Sequence, residues 1–171
     1  HASFMSPPGT PVLPGVQMVL AMRRIYTPSM GRTVDRQRRT VHALLRAHWG
    51  AGWAEGFAAV VCGEDVARKK PDPEVYVQAL DRLRLKSAEA VALEDSPAGV
   101  RSAQAAHVQV VVTRSVYFAN AAFEGVMAIG PGLDQREGWE PKPLSSAASH
   151  LIGLDDLMAW HSRTNRHWPT G

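Results

Sequence analysis

Lys70 stands directly before Pro71 in the block KKPDPEVY, and Glu94 and Asp95 close an apolar run in ALEDSPAGV. A lysine and two neighbouring carboxylates are residue types that can handle a phosphoryl group together with magnesium. Magnesium takes hard oxygen ligands and keeps waters and a substrate phosphate, while a lysine ammonium neutralises phosphate charge as a point cation. Ser96, with the amide groups that open the helix behind it, adds donors for an anion. The same residues have plain structural readings. Asp-Ser-Pro is a common helix N-cap and Lys-Pro-Asp-Pro a common turn. Either block alone leaves both readings open, because short motifs match by chance.

The elements that must position these residues follow from hydrophobic periodicity. VHALLRAHW (41–49) has the pattern of an amphipathic helix and FAAVVC (57–62) of a short buried strand. Asp72 can cap a helix that has Pro73 at its first position, and PEVYVQALDRL carries apolar residues at helical spacing. AVALE, VQVVVT and the weaker FEGVMAI read as strands; PAGVRSAQAA and LDDLMAWHS read as helices. Alternating helices and continuous apolar strands predict an α/β fold, a parallel sheet flanked by helices on both faces. In such sheets ligands bind beyond the carboxyl ends of the strands. Glu94 and Asp95 fall at one such end, and Lys70 follows the FAAVVC run at the same edge.

Composition sets the bounds. A chain of 171 residues with 45% hydrophobic and 20% charged residues suits one globular domain with a core. The lone cysteine, Cys62, excludes a disulfide framework and a cysteine zinc site, and fits a reducing cytoplasm. No apolar stretch is long enough to span a bilayer, so no membrane role is expected. The organisation expected is an irregular segment at 1–40, a core at 41–163 and a tail at 164–171. VQMVLAM, inside the first segment, has a helix-like apolar pattern. Arg23, Arg24, Arg32, Arg36, Arg38, Arg39 and Arg46 crowd the stretch around it. An anion- or nucleic-acid-binding surface there is one reading, but it lacks aromatic interleaving and any nucleic-acid module. A solvated charged segment is the reading preferred. His42, His48, His161 and His167 form no metal-ligand pattern and read as surface or helix positions. The five tryptophans read as packing or loop residues.

VVCGEDVARKKPDPEVYVQAL followed by AVALEDSPAGVRSAQAA resembles the haloacid dehalogenase (HAD) superfamily, within the subfamily of phosphoglycolate phosphatase and beta-phosphoglucomutase. VVVTRSVYFANAAFEG and IGLDDLMAWH are similar to its CbbY-like branch of sugar-phosphate phosphatases. The resemblance covers roughly residues 41–163. It implies a partial Rossmann-like core and a magnesium-dependent phosphatase acting on a small phosphorylated sugar. Lys70 takes the place of the lysine that stabilises the phosphoryl group, and Glu94 and Asp95 that of the acidic pair holding Mg2+.

The departures from that family are specific. Its nucleophilic aspartate and acid–base aspartate belong to an Asp-x-Asp-Gly motif; this sequence contains no Asp-x-Asp, so the nucleophile is unknown. The cap domain that selects the sugar is expected to be absent, and His1 in place of Met points to a fragment. Thr33 or Thr40 lies nearest the place of a phosphate-binding hydroxyl, but neither ends an apolar strand. Burying Arg36, Arg38 and Arg39 in a sheet would cost roughly several kcal/mol each. Arg84 and His107 stand where the family has helix-ending glycines, at about 1 kcal/mol each if the left-handed turn is kept. The chain is therefore expected to show weak activity or none. A catalytically dead HAD-like interaction protein and a sugar-phosphate mutase are the alternatives.

The abrupt change from unpatterned arginine-rich sequence to a good family match near Val41 also suggests a local reading-frame disruption. Sequencing the coding region tests this; an intact frame encoding the same arginines rejects it.

Overall fold

The computed structural model describes residues 59–144 and 149–165 continuously, together with 17–19, 39, 42–43, 46–47 and 50–52. Four parallel strands form one sheet: β1 (Gln17–Val19), β2 (Ala90–Glu94), β3 (Gln109–Thr113) and β4 (Ala128–Gly130), side by side in that order. Met18 lies opposite Val91, Ala92 opposite Val110, and Val112 opposite Ile129. Helices α1 (Glu74–Leu83) and α2 (Pro97–Ala105) precede β2 and β3, and α3 (Leu154–Asn165) follows β4.

The pleat explains why the two central strands are apolar throughout. Ala90 and Ala92 of β2, with Val110 and Val112 of β3, pack with Tyr76, Leu80, Val100 and Ala103 of α1 and α2. Val91 and Val111 point the other way, to Trp139, Ile152, Leu157 and Trp160 on the α3 side. A sheet covered on both faces leaves no strand position for a solvated side chain. The α/β architecture with a parallel sheet between helices is therefore as the sequence indicates.

Three local expectations need correction. VQMVLAM is not helical at Gln17–Val19, which form β1; a short apolar run satisfies either period, and pairing with β2 decides it. FAAVVC does not continue the sheet: Ala59–Cys62 carry no strand, and 57–58 lie outside the described residues. Two polar groups of that run are bonded to side chains instead. Val60 O accepts from Arg82 Nη1 at 2.7 Å, and the Cys62 N–H donates to Asp65 Oδ2 at 2.6 Å. FEGVMAI contributes only its end to β4, because Gly125 turns at φ 65° and the carbonyls of Glu124 and Gly125 accept from Gln104 Nε2. Within 41–49, His42, Ala43, Arg46 and Ala47 are helical, and Gly50 donates back to Arg46 O at 2.9 Å.

The chain beyond β4 is fastened to α3 by one buried ion pair. Arg136 meets Asp156 in bidentate fashion, Nη1 to Oδ2 at 2.7 Å and Nη2 to Oδ1 at 2.8 Å. Asp156 also accepts from the N–H groups of Leu144 and Gly153. Burial pushes the Asp156 carboxyl up, but the Arg136 bond and those two amides together hold it below its ordinary range.

Both helices that flank the candidate site end in a left-handed residue other than glycine. Arg84 has φ 56° and His107 has φ 58°. Leu85 N–H donates to Leu80 O and Arg84 N–H to Asp81 O; Val108 N–H and His107 N–H repeat the arrangement on Ala103 and Gln104. These are Schellman turns, which favour glycine at the left-handed position because a Cβ crowds the backbone there. Arg84→Gly and His107→Gly should each raise unfolding free energy by about 0.5–1 kcal/mol, strain relief less the entropy glycine adds to the unfolded chain. Urea denaturation of each variant checks this; a loss of stability would show that the side chains contribute more than the strain costs.

Candidate functional site

The turn that carries Lys70 is pinned at several points. Glu74, in the first turn of α1, accepts the N–H groups of Ala67 and Arg68 at 2.8 Å each. These two amides, Ala67 first, hold the Glu74 carboxyl below its usual range. Asp72 Oδ1 accepts the Glu74 N–H at 3.0 Å, as a capping side chain does, and Asp72 N–H closes the turn on Lys69 O. The Asp72 carbonyl accepts from Ser102 Oγ at 2.6 Å, so the fully buried Ser102 ties the start of α1 to α2. Each polar residue of KPDPE thus fixes the backbone on which Lys70 stands.

Glu94 ends β2 with its side chain 3% exposed, and a buried carboxylate must be paired to remain charged. Two donors converge on the same oxygen. Lys70 Nζ and the Tyr76 hydroxyl both donate to Glu94 Oε1. The Lys70 ammonium also lies 5.4 Å from the centre of the Tyr76 ring, within the range of a cation–π contact. Tyr76 is wholly buried; burial, then the Glu94 charge and its hydrogen bond, push the phenol far above its ordinary range and keep it a donor. The other carboxylate oxygen rests against the first turn of α2. A Cβ on Gly99 would fall 1.8 Å from Glu94 Oε2, a separation no pair of atoms tolerates. Glycine is required here for close approach.

Asp95 follows at the strand end and is half-buried. Ser96 begins α2 as its N-cap, its Oγ accepting the Gly99 N–H at 3.2 Å with Pro97 next in line. The Ser96 hydroxyl proton is not consumed by that bond. The structure therefore brings Lys70 and Glu94 into contact and sets Asp95 and Ser96 beside them at the carboxyl end of β2. Thr33 and Thr40 lie outside the described residues, as do His48 and His167. His161 is on a helix but buried rather than at the surface; burial pushes its imidazole down, partly opposed by a bond to the Ala88 backbone. Trp139 and Trp160 stack at 5.0 Å in the core.

Sequence reasoning missed Tyr76 and Gly99 as parts of this cluster. Tyr76 falls on the apolar stripe of α1, where its ring alone explains it. The available signals were a hydroxyl on that stripe and a glycine inside a helix, where glycine is unfavourable.

Residues 29–113 match the family model of haloacid dehalogenase-like hydrolases, a span that holds Lys70, Tyr76, Glu94, Asp95 and Gly99. That span resembles the haloacid dehalogenase-like hydrolases. Protein CbbY of Cupriavidus necator is 34% identical over 164 residues, 96% of this chain and 65% of that protein. The similarity thus reaches into the first forty residues, the direction in which Pro14-Gly15-Val16 extends the motif resemblance. Phosphoglycolate phosphatase of Rhodospirillum rubrum is 34% identical over 104 residues, 61% of this chain and 42% of that one. A solved structure of a CbbY variant from Rhodobacter sphaeroides, in complex with Xylulose-(1,5)bisphosphate, is 40% identical. It covers 50% of this chain and 38% of its own, at a TM-score of 0.49. The chain therefore spans less than two thirds of the length of these relatives.

The Glu94–Gly99 contact is directly testable. Gly99→Ala should lower stability by about 1–3 kcal/mol, the usual penalty for an inserted group in a packed site. Thermal unfolding of this variant beside Ala98→Gly checks it: an equal or smaller effect from Gly99→Ala would mean that the carboxylate has room to move.

Proposed function

We propose that this chain is the phosphate-handling core of a magnesium-dependent, CbbY-like phosphatase for a small phosphorylated sugar. The observation that carries the reading is Lys70 held by Glu94 at the carboxyl end of β2, with Asp95 and Ser96 adjoining. Lys70 would donate to phosphoryl oxygens from the rim, where its side chain is 24% exposed. Ser96 and the first turn of α2 would add donors to the same anion.

A divalent cation suits the carboxylates at this rim, since magnesium takes hard oxygen ligands. Among the described residues no three His, Cys, Asp or Glu side chains gather to hold a metal. Magnesium does not require that many, since it binds through one or two carboxylates plus substrate phosphate and water. The residues present fit it on those terms. Asp95 would be the direct ligand, with Glu94 behind it turned toward Lys70 and Tyr76. When bound, the ion would neutralise charge on the phosphoryl oxygens. The rest falls to the chain: Lys70 orients the phosphoryl group, and Glu94 keeps Lys70 in place.

An attacking carboxylate is the missing part. The sequence has no Asp-x-Asp, and β1, the neighbour of β2, reads Gln-Met-Val. Electrostatic stabilisation lowers a barrier only when a nucleophile is present to cross it. We therefore expect phosphate binding without appreciable turnover, which favours as second reading a HAD-like binding protein. A mutase would need the same absent carboxylate.

The test is magnesium-dependent hydrolysis of p-nitrophenyl phosphate by the purified chain beside Asp95→Asn. Silence in both is expected, together with magnesium-dependent binding of inorganic phosphate that weakens at least roughly tenfold in Asp95→Asn, the loss of one charged contact. Turnover abolished by Asp95→Asn would instead make this a working phosphatase with another nucleophile. Phosphate binding indifferent to Asp95 would remove the site altogether.

A further inference from the structure

Resting on the phosphate-site reading above, we propose that Tyr76 is a positioning residue that aims the Lys70 ammonium at the rim through Glu94. Packing alone does not account for its hydroxyl. The ring is wholly buried among Leu80, Val100 and Val110, where phenylalanine would fill the same space. A buried hydroxyl is costly unless bonded, and this one is bonded to the oxygen that Lys70 uses.

The geometry gives that sharing a consequence. Lysine has a long flexible stem and a charge without directional preference, so its position is set by what holds it. Glu94 holds it, and Glu94 is immobilised from two sides. Gly99, having no Cβ, admits Oε2 against the first turn of α2; the Tyr76 phenol fixes Oε1. Because Oε1 is divided between two donors, the ammonium is anchored without being fully absorbed by the carboxylate. An ammonium has three donors and no acceptor, so donors remain for an anion at the rim. Remove the hydroxyl, and Glu94 Oε1 loses its fixed donor, so the carboxylate and the ammonium it holds are free to swing.

Tyr76→Phe tests this, with Lys70→Met as the control that assigns and abolishes the site. The first readout is the 1H–15N correlation of the lysine ammonium groups in the full chain. The Lys70 signal, identified by its absence in Lys70→Met, is expected to be resolved in the parent and broadened or lost in Tyr76→Phe. The second is the affinity for inorganic phosphate with magnesium, expected to weaken about three- to tenfold in Tyr76→Phe, the worth of one hydrogen bond. An unchanged Lys70 signal with unchanged affinity would overturn the positioning role while the Lys70 dependence still upheld the site. Phosphate affinity indifferent to Lys70→Met would overturn the site reading, and the ammonium signal would then judge Tyr76 by itself. Should Tyr76→Phe fail to fold, the parent protein decides. A slowly exchanging Tyr76 hydroxyl proton with cross-relaxation to the Lys70 side chain supports the clamp, and its absence overturns it.

Discussion

A carboxylate cannot be taken out of water uncompensated, and the region between α1, β2 and α2 is organised around that constraint at Glu94. The compensation comes from places distant in sequence: an ammonium from the turn before α1, a phenol from the first turns of α1, and the opening turn of α2. Helix N-termini favour negative charge, so the position of Glu94 at the mouth of α2 suits it further. The same pairing dictates that the turn carrying Lys70 be rigid. Glu74, Asp72 and Ser102 supply that rigidity through bonds to backbone rather than through exposed ion pairs. The Arg68 pairs with Asp72 and Glu74 are largely solvated and contribute little by comparison.

The sheet divides the molecule into two packing regimes. On one face, alanines of β2 and valines of β3 let α1 and α2 come close, and the charged cluster forms where those helices begin. On the other face, larger side chains dominate, with Leu157 and Trp160 of α3 packed against Trp139 and Ile152. That face is closed by the Arg136–Asp156 pair; both terminal guanidinium nitrogens also donate to the Leu151 and Leu144 carbonyls, which joins 136, 144, 151 and 156. The first face carries the residues with chemistry; the second serves as the support against which the sheet is held.

Much of this was legible in the chain, and the failures have physical causes. AVALE coincides with β2, and the helix patterns beginning at Pro73, Pro97 and Leu154 correspond to α1, α2 and α3 within a few residues. Those segments are long and periodic, and Pro and Ser mark where they begin. The left-handed turns at Arg84 and His107 were also readable, since a Schellman turn leaves a place for glycine whether or not glycine occupies it. FAAVVC was misleading because its apolar letters say nothing of where its amides go, and Asp65 and Arg82 take them. Lys70, Glu94 and Asp95 stood out by residue type, but Tyr76 and Gly99 did not. Their significance lies in a carboxylate that reaches them only after β2 has been placed between two helices.

The stacked pair Trp139 and Trp160 joins the segment after β4 to α3 on the face away from Lys70. Two indoles this close couple as electronic oscillators, so any exciton circular-dichroism signal of this pair belongs to the support face. Tyr76, buried on the opposite face, sits outside that pair. Such a signal therefore reports on the supporting layer alone, and its timing reveals whether ligand-side loosening and loss of that face occur as one event or two.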